Sequence, residues 1–94
     1  MRLSRLLEKV HSSRTEIAEL CSELVKIPTP NPPGGTEQCI KFIEDYFARH
    51  GVTTVVHSRH RGKANIVAEI EGVSSRKVLW LGHVDVVPEG NRAS

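Results

Sequence analysis

The stretch KVLWLGHVDVVPEG, residues 77–90, carries an apolar run into a histidine, an aspartate two residues later, and a turn. In extended backbone, side chains two apart point the same way, so His83 and Asp85 share a side where the apolar run ends. An imidazole so placed can give one nitrogen lone pair to a divalent metal ion while a carboxylate holds its other ring N–H. That contact sets the tautomer and strengthens the donor. The same pair can also do no more than hydrogen-bond at a strand end and stabilise the turn at Val87 and Pro88. A zinc site takes about four ligands, and one His-x-Asp pair does not supply them.

Other candidate ligands are poorly placed. After Asp85 there is no further histidine or aspartate, and the one later acidic residue, Glu89, reads as a solvent-facing residue of a Pro-Glu-Gly turn. His50 falls at a helix terminus, where an imidazole complements the dipole. His57 and His60 stand among Arg59 and Arg61, an unfavourable setting for a dication without carboxylates to offset it. Cys21 and Cys39 lie in helical patterns, not in a Cys-x-x-Cys arrangement, and are expected as buried, reduced thiols.

The elements that must position His83 and Asp85 follow from periodicity. Leu3, Leu6, Leu7 and Val10 recur at helical spacing. Ser12 or Ser13 then caps a second helix with Ile17, Leu20, Cys21, Leu24 and Val25 as its stripe. Four prolines between Pro28 and Pro33 remove backbone donors and end it, and Gly34 and Gly35 release the chain into a turn. Thr36 is the expected N-cap of a third helix, Glu37 suits its first turn, and Cys39, Ile40, Ile43, Tyr46 and Phe47 form its inner side. His50 and Gly51 stop it. Residues 52–58 are β-branched, and residues 64–70 alternate, so both read as strands. Residues 78–82 are apolar on both faces, which predicts an interior strand covered by helices on each side. The predicted class is α/β, and the short connections between strands allow antiparallel neighbours.

Composition narrows the function classes. With 38% hydrophobic and 26% charged residues the chain is globular in type, but 94 residues form one small domain whose core is marginal without a metal, disulfide or partner. A formal charge of +2 is too mild to imply nucleic acid, and the basic run HSRHRGK, residues 57–63, reads as a solvated loop or hairpin. Glu8 and Lys9 interrupt the N-terminal apolar run, which therefore lacks a signal-peptide core, and no stretch approaches the roughly 20 apolar residues of a membrane span. A cytoplasmic protein with neither nucleic-acid nor membrane partners is expected.

Three segments in order, LVKIPTPNPPGG, GKANIVAEIEG and VLWLGHVDVVPEG, resemble the start of a zinc-dependent metallopeptidase family. The family comprises aminoacylase, acetylornithine deacetylase, succinyl-diaminopimelate desuccinylase and carboxypeptidase-like dipeptidases. The likeness covers roughly residues 15–90, and its specific part is the apolar strand followed by Gly-His-x-Asp, two valines and a proline-glycine turn. It implies a central-sheet catalytic domain with flanking helices, of which residues 1–94 are the opening, incomplete portion. The smaller inserted domain that often supports dimerisation would be absent from them. By the same resemblance His83 is the first metal-ligand histidine and Asp85 the residue that orients it. The implied cofactor is a pair of zinc ions, with cobalt or manganese as alternatives, sharing a bridging aspartate. A downstream Glu-Glu pair would furnish a ligand and the general base. The implied activity is hydrolysis of an amide bond in small N-acyl amino acids or short peptides.

The family often continues past the glycine with an acidic residue and a nearby tryptophan, whereas here Asn91 to Ser94 read NRAS. The expectation is therefore a chain that lacks most of the active site and is inactive alone. The alternative is a noncatalytic module that pairs with a full-length homologue, because a strand at 78–81 without its neighbours leaves an apolar edge open. A small α/β protein of unrelated activity is the third reading.

Overall fold

The computed structural model describes residues 3–88 and 90 of the 94. Five elements run in the order α1 (Leu3–Ser12), α2 (Arg14–Lys26), α3 (Glu37–Arg49), β1 (Thr54–His60) and β2 (Lys63–Ala68). The class is mixed α and β, with three helices and one antiparallel two-stranded sheet. Glu89, Asn91 and Ser94 lie outside the described residues.

The helix boundaries follow local chemistry. Ser13 occupies the N-cap position of α2, but its hydroxyl donates backward to the Lys9 carbonyl at 2.9 Å and closes α1. Thr36 precedes α3 as expected, yet its hydroxyl makes no cap bond. It reaches instead to β2, accepting the Ala64 N–H at 3.0 Å and donating to the Ala64 carbonyl at 3.1 Å. Glu37 accepts the Gly62 N–H at 2.8 Å, and the Thr36 N–H donates to the Gly62 carbonyl at 2.8 Å. Helix α3 ends where Gly51 enters the left-handed region at φ +73°, which glycine adopts without steric cost.

The basic run 57–63 is a hairpin. Gly62, at φ +82°, supplies the reversal after Arg61. Pairing runs from Thr54 opposite Ala68 to His57 opposite Asn65, then resumes at His60 opposite Lys63. The shift sets Ser58 and Arg59 against Ala64 alone, a bulge at the residue that Thr36 engages. Helix α3 packs on this hairpin. The small core lies between them: among the described residues Cys39 and Ile40 from α3 and Ala64 from β2 are the buried apolar ones, beside buried Thr29 and Thr36.

Two expectations are corrected. Residues 78–82 form no strand, and Val78, Leu79, Trp80 and Leu81 are 80–92% exposed. A segment apolar on both faces needs a hydrogen-bonding neighbour and a cover on each side, and the described residues bring neither to it. Cys21 is exposed, whereas Cys39 is buried and its thiol pKa is raised by that burial; both are free. Cys21 sits on α2, which buries none of its residues: Ile17 and Val25 face solvent, and Leu20 and Leu24 are half-buried.

Candidate metal-ligand pair

His83 and Asp85 lie outside the β1–β2 sheet, in chain that the proline loop after α2 holds in place. The Val86 N–H donates to the Thr29 carbonyl at 2.9 Å, and the Asn31 N–H donates to the Val86 carbonyl at 2.7 Å. Together they form an isolated parallel bridge between Pro30 and Val86. In this bridge Val86 uses both its N–H and its carbonyl, whereas on the other side the bonds fall on Thr29 and Asn31, so a proline can occupy position 30. The buried Thr29 hydroxyl adds a bond to the Val84 carbonyl at 2.6 Å. Residues 84 and 86 are thus gripped through their backbones, and the side chains of 83 and 85 are left for other work.

The structure brings His83 and Asp85 together. His83 Nδ1 lies 2.9 Å from the Asp85 carbonyl oxygen and 3.2 Å from Asp85 Oδ1. A carbonyl oxygen only accepts, so Nδ1 carries a proton, and the ring's lone pair, when it has one, is at Nε2. The His83 side chain is 83% exposed, and Nε2 has no partner among the described residues. It also lines an open groove of about 600 Å³, walled by Leu24, Val25 and Ile27 on one side and Val84 and Val86 on the other.

Asp85 is held in turn. Asn31 Nδ2 donates to Asp85 Oδ2 at 3.1 Å, leaving Oδ1 for His83. That amide is the largest cause of an Asp85 carboxyl pKa below the usual carboxylate value; partial burial opposes it, while its own backbone N–H and His83 add to it. The carboxylate is therefore ionised at neutral pH, and an anion beside Nδ1–H makes Nε2 a better donor.

As a metal site the pair fits one ligand position. Both Asp85 oxygens are engaged, one imidazole nitrogen is free, and no group of three or more His, Cys, Asp or Glu side chains gathers among the described residues. A complete zinc shell requires donors beyond these. The other histidines are elsewhere: His11 is exposed on α1, His50 Nδ1 donates to the Tyr46 carbonyl at 2.9 Å at the end of α3, and His57 and His60 are exposed on β1.

Thr29 and Asn31 were not singled out from the sequence. Both stand among the prolines after α2, and no local pattern marks a side-chain contact spanning 54 positions. No helix among the described residues is long and apolar enough to cross a membrane. No family model matches the chain, and no curated protein or solved structure matches it either.

Proposed function

We propose that this chain is the opening segment of the catalytic domain of a metal-dependent amidohydrolase acting on small N-acyl amino acids or short peptides. His83 ligates one divalent ion through Nε2, and Asp85 holds the ring. The observation that carries the reading is the arrangement around His83: Nδ1 faces the Asp85 carbonyl oxygen and Oδ1, Asn31 holds the other carboxylate oxygen, and Nε2 is left open to solvent. A bound zinc, cobalt or manganese ion would supply Lewis-acid polarisation of the substrate carbonyl. The remaining ligands and the general base come, on this reading, from outside these 94 residues.

The test is a titration of the full chain with zinc, followed through the ¹⁵N signals of the histidine rings. His83 Nε2 is expected to shift while Nδ1 stays protonated. If His57 and His60 respond and His83 does not, the ligand assignment is wrong.

A second, noncatalytic reading is favoured by the four consecutive apolar side chains at 78–81, each at least 80% exposed. In that reading the segment pairs with a homologous full-length chain. Co-purification at fixed stoichiometry supports it, and a chain that stays monomeric in the presence of the homologue refutes it.

A further inference from the structure

We infer that Asn31 is a positioning residue for His83, acting through Asp85: its side-chain amide turns the carboxylate so that one oxygen meets the imidazole. The functional meaning rests on the proposed ligand role of His83, but the geometry stands without it. A carboxylate next to a histidine in exposed chain can rotate freely about its terminal bond. Here Asn31 Nδ2 takes Oδ2 at 3.1 Å and Oδ1 is left 3.2 Å from Nδ1, a second acceptor beside the Asp85 carbonyl oxygen at 2.9 Å.

Asn31 is itself confined. Its N–H is spent on the Val86 carbonyl, and the Gly34 N–H closes the loop onto the Pro30 carbonyl at 2.8 Å. Gly34 is buried at φ +76°, and a Cβ there would stand 3.1 Å from Asn31 Cγ and 3.2 Å from its Oδ1. The glycine thus serves twice, permitting the left-handed turn and leaving room for the amide. Its Nδ2 would stand 3.4 Å from that Cβ, so the whole amide lies over Gly34 while its N–H₂ donates to the Asp85 carboxylate, which can only accept when ionised. The proline loop therefore does more than stop α2: it sets the direction of the carboxylate behind His83.

The experiment reads the metal-free tautomer of His83 by ring ¹⁵N shifts at pH 8, in the full chain and in Asn31→Asp. That variant keeps the side-chain shape and removes the donor. Wild type is expected in the Nδ1–H form, and Asn31→Asp is expected to move the tautomer ratio about threefold or more toward Nε2–H. Protection of the Val86 amide from exchange reports whether the backbone bridge survives. If it is lost in Asn31→Asp, Asn31→Ala, which adds no charge, is judged in its place. An unchanged tautomer with the bridge intact overturns the inference. A zinc titration of the same samples separates the two claims, since wild-type His83 failing to bind zinc sinks the proposed function while the tautomer result still decides the role of Asn31.

Discussion

Thr36 Oγ1 both accepts the N–H of Ala64 and donates to its carbonyl, so one hydroxyl at the head of α3 satisfies a whole backbone unit of β2. Thr36 is 9% exposed and Ala64 8%, so water cannot readily replace these bonds. Thr36→Val keeps the shape and strands both groups. It is expected to cost about 1–3 kcal/mol, whereas Thr36→Ser retains most of the interaction. Amide exchange at Ala64 measures this directly: faster exchange in the valine variant only is the expected result, and equal exchange in both contradicts it.

Helices α2 and α3 are joined by a polar contact. Tyr46 Oη donates to Glu16 Oε1 at 2.9 Å, and this bond is the largest cause of a phenol pKa above its ordinary value; Arg49 opposes it. A folded-state pKa raised above the unfolded one means that the linked stability is present below about pH 10 and is lost as pH rises through the folded value. Tyr46 is the single tyrosine, so the alkaline ultraviolet titration reports it alone. Glu16→Ala should move that titration to lower pH, and an unmoved curve would remove the link.

Trp80, the single tryptophan, is 90% exposed. Its emission should be that of an indole in water and fully open to a soluble quencher. Pairing of residues 78–81 with another chain would shift the emission to the blue and protect it as protein concentration rises. Emission independent of concentration and of added homologue speaks against the pairing reading.

With one fitted ligand position, the 94-residue chain loaded with zinc is expected to hydrolyse no N-acyl amino acid above background. Asp85→Ala should weaken zinc binding at His83 about 10–100-fold through loss of the carboxylate behind the ring. Robust hydrolysis by the chain alone, abolished by His83→Ala, would overturn the expectation of inactivity and require a complete centre within these residues.

The helices and the hairpin were legible because each depends on neighbours in sequence. Apolar spacing marks α1, α2 and α3; prolines 28 to 33 and Gly51 mark the ends of α2 and α3; the β-branched run at 52–58 and the alternation at 64–70 mark the hairpin, whose strands run Thr54–His60 and Lys63–Ala68. The closeness of His83 and Asp85 was legible too, because extended backbone puts alternate residues on one side.

The strand expected at 78–82 marks the limit of such reading. Its composition suits an interior strand, but a strand exists only when another backbone accepts its hydrogen bonds, and none does so among the described residues. Thr36 illustrates the same point within α3. A threonine before a helix predicts a cap, whereas the approach of β2 gave the hydroxyl a better partner in Ala64.

By itself, then, the sequence determined the local elements and the pairing of an imidazole with a carboxylate two residues on, both consequences of backbone geometry over a few positions. Only the tertiary structure decided what stands behind that carboxylate and what holds its chain. Thr29 meets Val84 across 55 positions and Asn31 meets Asp85 across 54. Contacts at that separation depend on where a folded loop comes to rest, which no short-range periodicity encodes.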